Sequence, residues 1–168
     1  MSDHKNLFNR EGIEKIKELT EEANITVFCT NLSNKPFSAT PMAVQSVEDD
    51  GAIYYFSGKD SERNAHLRQD PATQIIVSNN SDYEYLSLYG TSTVSQDRAK
   101  IKELWSADAK VWFQDGPEDP NLTLIRFEPT DGYYWDNKHG KLVAFAKMAA
   151  SLVTGKTMDD GIQGKIKV

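Results

Sequence analysis

The ten residues Tyr54–Arg63, "YYFSGKDSER", join an aromatic run to a dense group of polar side chains. Aromatic residues favour a β-strand, whereas Ser and Asp ahead of a polar segment are typical of a helix start. The stretch therefore predicts a strand that turns directly into a helix. Within seven residues the turn presents two hydroxyls, a glycine and two cations, namely Ser57, Gly58, Lys59, Ser61 and Arg63.

Two explanations of these polar residues stay open on the sequence. In the first, Ser57 or Asp60 caps the helix, and Lys59 and Arg63 are solvated charges. In the second, the turn binds an anion, because free N–H groups, two hydroxyls and an arginine fork all suit a phosphate. Gly58 would then allow close approach of the ligand. The explanations are compatible, since both use the same N–H groups.

The segments around this turn alternate between helix-like and strand-like patterns. Apolar residues at helical spacing predict helices over 9–23, 60–69, 97–105 and 141–153. Strands are expected over 25–31, 36–47, 52–57, 73–79, 83–95, 122–129 and 132–136. The Gly-rich tail, 154–168, is expected either to be mobile or to return as a short strand. This order predicts an α+β fold, a small antiparallel barrel of about six to seven strands with flanking helices.

Length and composition limit the class of protein. The 168 residues predict a single domain over residues 1–168, with a core over about 10–140 and a C-terminal helix and tail over 141–168. No apolar run approaches the ~20 residues of a membrane span. The lone Cys29 leaves no internal disulfide, so a cytoplasmic location is expected. A net charge of −6 opposes general nucleic-acid binding but allows one small phosphorylated ligand.

Most catalytic signatures are missing. There is no P-loop, no nucleophile elbow and no dinucleotide-binding glycine motif. The three histidines stand far apart, so no metal site is expected, and Cys29 is expected to be a small core residue. No residue is assigned a catalytic role.

A proline inside a predicted strand is the second unusual feature. Pro41 lacks a ladder donor and so implies an edge, a bulge or an interruption. Alternation places Thr40 and Met42 on one face of the strand. Unpaired backbone near Pro41 would suit a heterocyclic ligand, with Met42 beside its ring. The alternative is that Met42 belongs to the core and Pro41 protects an edge.

Together these segments resemble a known family. The order of "TPM", "YFSGKDSER", "ELW", "VWFQDGPEDPNLTLIRFEP", "YYWD" and the tail "VTGK…GKIKV" is similar to the pyridoxamine-phosphate-oxidase-like, flavin-binding split-barrel superfamily. The resemblance is to its general-stress-protein branch, and it runs from about residue 10 to the end of the sequence. Each motif alone is weak, but their order and spacing are fairly specific.

The resemblance implies a single FMN-binding split-barrel domain that forms a homodimer, with flavin at the subunit interface. FAD and weakly held FMN are the alternatives for the cofactor. The branch pattern Phe-Thr-x-x-x-Ser-x-Lys, which holds the phosphate, maps onto Phe56, Ser57, Ser61 and Arg63. The pattern Arg-Pro-Met, which runs beside the flavin ring, maps onto Thr40, Pro41 and Met42, so the arginine of the family is missing and weaker flavin binding is implied. The expected cofactor contacts are Thr40, Pro41, Met42, Tyr55, Ser57, Gly58, Ser61, Arg63 and Trp112.

Two roles for aromatic residues stay open within this resemblance. Trp112 either reaches the flavin of the partner subunit or packs in the interface. Trp135 is expected in the core.

Three functions compete at this point. The first is an FMN-dependent oxidoreductase of unknown substrate, using NAD(P)H or another small electron donor. The second is a flavin-binding stress or sensor protein without turnover. The third is a single-stranded nucleic-acid-binding barrel that stacks bases on Tyr83, Tyr85 and Tyr89. The acidic charge opposes the third, so no nucleic-acid partner and no membrane partner are expected.

Overall fold

Six antiparallel strands close into a barrel in the computed structural model of the chain, which describes residues 3–137, Ala149 and residues 161–168. The barrel strands are β3 (Ile25–Thr30), β4 (Ser38–Val47), β5 (Ile53–Gly58), β6 (Ala72–Asn79), β7 (Glu84–Ser95) and β8 (Leu122–Asn137). Their order around the barrel is β8-β5-β4-β3-β6-β7, and β7 pairs with β8 to close it. The predicted α+β barrel is confirmed.

Three short strands extend the sheet beyond the barrel. β9 (Gly161–Lys167) pairs antiparallel with β8, and β1 (Asp3–His4) and β2 (Leu7–Phe8) pair in parallel with β9. Of the two expectations for the tail, a mobile segment or a short strand, the strand is therefore correct for residues 161–167. The two N-terminal strands were not predicted, because two-residue strands carry no periodicity. The predicted helix over 141–153 lies, apart from Ala149, outside the described residues.

Three helices flank the barrel: α1 (Asn9–Ala23), α2 (Glu62–Gln69) and α3 (Arg98–Leu104). Two 3-10 turns follow α3, at Ala107–Val111 and Gly116–Glu118. The first helix has the predicted bounds because its apolar stripe buries Ile16 and Leu19 and its end is marked by Asn24. Asn24 adopts a left-handed conformation at φ 64°, and its N–H donates to the Thr20 carbonyl. None of the described helices is long and apolar enough to cross a membrane.

The barrel interior is a continuous hydrophobic core. The side chains of Phe28 and Tyr55 meet edge to face at 5.2 Å between ring centroids. Cys29 is buried, and burial raises the pKa of its thiol, which matches the expected core role. Other fully buried large side chains of the barrel strands are Ile53, Ile75, Leu86, Leu88, Leu122, Ile125, Phe127 and Tyr134.

Two of the predictions for the last barrel strand are wrong. The segments 122–129 and 132–136 form one continuous strand, because Pro129 lies at an irregularity in the β7–β8 pairing where a missing donor is tolerated. Gly90 faces Pro129 there, and a Cβ on Gly90 would lie 2.0 Å from the Glu128 carbonyl oxygen.

Trp135 is not in the core. It is 42% exposed and packs against Tyr133 at 4.6 Å between ring centroids.

The carboxyl group of Glu84, at the start of β7, makes the stability of the fold depend on pH. Burial, a hydrogen bond with Glu22 and the charges of Glu22 and Asp136 raise the pKa of Glu84 to about 7. The folded protein therefore holds this proton more tightly than the unfolded chain does. Stability from this group is present below the ordinary carboxyl pKa and is lost as the pH rises through about 7.

Glu84→Gln should therefore raise the melting temperature relative to wild type, and the difference should grow between pH 5 and pH 8. Glutamine keeps the shape of the side chain and cannot ionise. The measurement is thermal unfolding at several pH values, with the exposed Glu21→Gln as the control. A difference between Glu84→Gln and wild type that does not vary with pH would contradict this account.

Candidate functional site

The barrel is split between β4 and β5. Val44 pairs with Tyr55, but β4 residues 38–43 pair with β3 alone and β5 residues 56–58 pair with β8 alone among the described strands. The two neighbouring strands therefore diverge beyond the Val44–Tyr55 pair. Each leaves one edge of its main chain facing the resulting cleft. The segments predicted to contact a ligand, 40–42 and 57–63, lie on opposite sides of this cleft.

Pro41 lies on the open edge of β4, as one of its predicted alternatives required. It is opposite Val27 of β3 and is exposed. Both main-chain polar groups of a residue in an antiparallel ladder point to the same neighbour. Because Pro41 has no N–H, no donor is left unpaired when this residue faces the cleft. Its carbonyl is thus available to a ligand in the cleft.

Three side chains converge across the cleft from Pro41. The Ser57 hydroxyl lies 3.1 Å from the Ser61 hydroxyl, and Arg63 donates to the Ser57 Oγ from Nη2 at 3.1 Å and from Nε at 3.3 Å. Two hydroxyls and a guanidinium fork so close together match the donor set that phosphate groups prefer. The structure therefore brings together three of the residues expected to bind the phosphate.

The turn between β5 and α2 is fixed by a cap. The Ser61 Oγ accepts a hydrogen bond from the Asn64 N–H at 3.2 Å, and the Ser61 N–H donates to the Gly58 carbonyl at 3.1 Å. The capping residue is Ser61, so the prediction of Ser57 or Asp60 as the cap is wrong. The reason is that the helix begins at Glu62, two residues later than the sequence suggested.

Arg63 carries a charge that its surroundings do not balance. It is partly buried, and burial lowers the pKa of its guanidinium. An arginine nevertheless stays protonated. Within residues 3–137 and 161–168 no carboxylate forms an ion pair with it, whereas Arg126 pairs with both Asp50 and Glu128. The electrostatics at Arg63 therefore favour an anion at this position.

A second layer of buried groups lies behind the hydroxyls. The Asn64 Nδ2 donates to the Thr123 Oγ1 at 2.9 Å, and the Thr123 hydroxyl donates to the Ser57 carbonyl at 2.8 Å. Sequence reasoning missed both residues. No local signal could have found Thr123, because its contact depends on the register between β5 and β8.

Of the other residues expected to contact the cofactor, several do not present a side chain to the cleft. Thr40 is half-buried, and Met42 belongs to the hydrophobic core, as the packing alternative predicted. Tyr55 is fully buried, and its hydroxyl is 3.0 Å from the Thr26 hydroxyl, so it presents no side-chain atom to the cleft. A Cβ on Gly58 would meet no atom within 4 Å, so the protein itself does not require glycine there.

Two aromatic residues, Trp112 and Phe113, follow the first 3-10 turn, and one of them is packed while the other is exposed. Phe113 packs against Phe56, with ring centroids 6.5 Å apart, in a second hydrophobic cluster that also contains Trp105. Trp112 is 81% exposed and makes no ring contact within the described residues. It is therefore available to a second molecule or a ligand, although the chain alone does not bring it to Arg63.

The sequence profile of the family described as "Pyridoxamine 5'-phosphate oxidase like" matches residues 11–159. The chain belongs to this family. The resemblance to it that the sequence indicates is confirmed, and the split barrel described above is the corresponding fold.

The sequence identity to individual relatives is low, at 24 to 25% for three of them. The protein bli-3 from Neurospora crassa is 25% identical over 68% of this chain, which spans only 59% of that relative. A general stress protein 26 from Jannaschia sp. CCS1 is 24% identical, with a TM-score of 0.76 over 92% of this chain and 97% of its own. A general stress FMN/FAD binding protein from Xanthomonas citri is 24% identical, with a TM-score of 0.65 over 76% of this chain and 89% of its own.

Proposed function

We propose that this protein binds FMN in the cleft between β4 and β5 and acts as a flavin-dependent oxidoreductase. The observation that carries the proposal is the partly buried charge of Arg63, which is held on the Ser57 hydroxyl beside Ser61. Membership of the pyridoxamine 5'-phosphate oxidase-like family supports it. A structural neighbour from Xanthomonas citri that binds FMN or FAD supports a flavin more generally.

The residues on the β5 side suit the phosphate end of the ligand. A phosphate monoester carries about two negative charges at neutral pH. Arg63 can donate two parallel hydrogen bonds to it, and the Ser61 hydroxyl can donate one. The Ser57 hydroxyl, which is only 1% exposed, aligns the guanidinium. Because Gly58 has open space at its Cβ position, a phosphate can approach the main chain of the turn closely. These groups would bind and orient the ligand rather than react with it.

The residues on the β4 side suit the flat end of the ligand. The open edge at Pro41 offers main-chain carbonyls, and Thr40 offers a hydroxyl at the side of the cleft. FMN, when bound, would supply the redox chemistry by accepting and releasing electrons from a small donor such as NAD(P)H. The role of the protein is then to hold the ring, exclude water from it and present one face to the donor.

A second candidate is a flavin-binding stress or sensor protein without turnover. One observation favours it: the three side chains that converge at the phosphate end, Ser57, Ser61 and Arg63, include no carboxylate or imidazole that could move a proton. Both candidates require bound flavin. Oxidation of NADH or NADPH by the FMN-loaded protein separates them, since only the oxidoreductase would show steady turnover.

Arg63→Ala should weaken FMN binding by roughly 1.5–3 kcal/mol, the range for a hydrogen bond to a charged group. Riboflavin lacks the phosphate and should bind the variant about as well as it binds wild type. The measurement is titration of both flavins by fluorescence quenching. The control is Arg10→Ala, which removes an exposed arginine from α1, outside the site. Equal losses for FMN and riboflavin would move Arg63 away from the phosphate.

Thr40→Arg should tighten FMN binding by about tenfold or more, because it restores one charge-assisted interaction. Wild type, with a neutral residue there, should purify partly or wholly without flavin. The comparison is paired titration of wild type, Thr40→Arg and Ala39→Arg, in which the last places the guanidinium on the opposite face of β4. Nanomolar binding by wild type with no gain from Thr40→Arg would show that another group supplies the charge.

We also propose that the protein is a two-fold symmetric homodimer. The outer face of the sheet carries a contiguous group of exposed apolar side chains on adjacent strands. Val27 lies between Pro41 and Ile76 in the register, and Ile25 and Tyr89 continue the group on either side. Ile25, Val27, Ile76 and Tyr89 are 38 to 59% exposed in the single chain. A patch of this kind is typical of a protein interface.

Sedimentation equilibrium at micromolar concentration should therefore give a species of twice 18.9 kDa. Ile76→Glu should shift it toward 18.9 kDa, because it would place an unpaired charge in the interface. Phe8→Glu, at an exposed apolar residue on β2 outside this patch, is the control and should stay dimeric. A wild type that sediments at 18.9 kDa alone would rule the dimer out.

A further inference from the structure

We propose that Asn64 and Thr123 are positioning residues that set the spacing of the Ser57 and Ser61 hydroxyls and thereby determine the phosphate-dependent share of flavin affinity. This inference rests on the proposed function, since it concerns the same site. It assigns no contact with the ligand to either residue. Both act through the groups that they hold.

Asn64 links the two serines through different parts of its structure. Its main-chain N–H donates to the Ser61 Oγ at 3.2 Å, which fixes the hydroxyl on the α2 side. Its side-chain Nδ2 donates to the Thr123 Oγ1 at 2.9 Å, and the Thr123 hydroxyl donates to the Ser57 carbonyl at 2.8 Å. One residue therefore ties the first turn of α2 to β8 and, through β8, to the end of β5.

The direction of each hydrogen bond in this chain is determined. A threonine hydroxyl has a single proton. Because the Ser57 carbonyl can only accept, that proton is donated to it, and the Thr123 Oγ1 must accept from Asn64. The amide of Asn64 is thus oriented with Nδ2 toward Thr123, and the Ser57 main chain is fixed from behind.

Burial makes this chain of hydrogen bonds rigid. Asn64 is fully buried, and Ser57 and Thr123 are at most 3% exposed, so water does not compete for these groups. The orientation also has a cost, because the Asn64 Oδ1 is buried and has no hydrogen-bond partner among the described residues. An apolar residue would avoid that cost. We attribute the presence of this buried amide to its other contacts, which hold Ser61 and Thr123 in place.

The position of Ser57 matters for the cation as well as for the hydroxyl. Arg63 donates twice to the Ser57 Oγ, so the guanidinium is aligned by the same serine that Thr123 holds. Hydrogen bonds weaken steeply as their angles depart from linear. A shift of Ser57 would therefore disturb every donor expected to meet the phosphate, but not the β4 side of the cleft.

The experiment compares Thr123→Val, Thr123→Ser and wild type, with FMN and riboflavin as the two probes. Thr123→Val should weaken FMN by about five- to tenfold, corresponding to one lost hydrogen bond in the site, while riboflavin changes by less than about twofold. Thr123→Ser keeps the hydroxyl and should bind both flavins like wild type. The control is Thr73→Val, which removes a buried hydroxyl bonded to Ser92 at 2.9 Å outside the site. It should lower the melting temperature without changing the ratio of the two affinities.

A second measurement does not depend on flavin. Amide hydrogen exchange at Asn64, whose N–H donates to Ser61, should be faster in Thr123→Val than in Thr73→Val or wild type. If wild type binds no FMN, the proposed function fails, and exchange at Asn64 still decides whether Thr123 holds the turn. Unchanged exchange at Asn64, or equal losses of FMN and riboflavin in Thr123→Val, would overturn the inference.

Discussion

The separation of β4 from β5 beyond the Val44–Tyr55 pair is the constraint on which the rest of this structure depends. At this place β4 remains held by β3 and β5 by β8, so the two edges are open without either strand losing its support. Pro41 is suited to this separation, since it cannot donate a hydrogen bond across the gap. A rigid barrel thereby carries an accessible stretch of main chain.

The chemistry of the opening follows from what the chain places on its two sides. On the β4 side there are main-chain groups and small side chains. On the β5 side the strand ends in a capped helix, and Arg63 lies over the Ser57 hydroxyl with its charge partly removed from water. A cation in that position gains most from an anion that can also accept from the Ser61 hydroxyl. A flat ligand with a terminal phosphate satisfies both sides at once.

The sequence predicted the parts of this arrangement that local pattern determines. The bounds of α1 follow from its apolar spacing, and the change from strand to helix within Tyr54–Arg63 follows from its aromatic and polar residues, although the capping residue was not predicted. An open edge at Pro41 was one of three alternatives, with a bulge and an interruption, that follow from the missing donor of proline. What could not be predicted depends on distant register. Asn64 and Thr123 are 59 residues apart, and β8 continues through Pro129 only because β7 supplies Gly90 opposite it.

The central claim is that the Ser57–Ser61–Arg63 group binds the phosphate of a flavin whose ring lies between β4 and β5. A crystal structure of the protein grown with FMN tests it most directly. The account predicts phosphate oxygens within hydrogen-bond distance of the Arg63 guanidinium and the Ser61 hydroxyl, with the ring against the open edge at Pro41. FMN bound elsewhere, or a phosphate beyond the reach of Arg63, would contradict it.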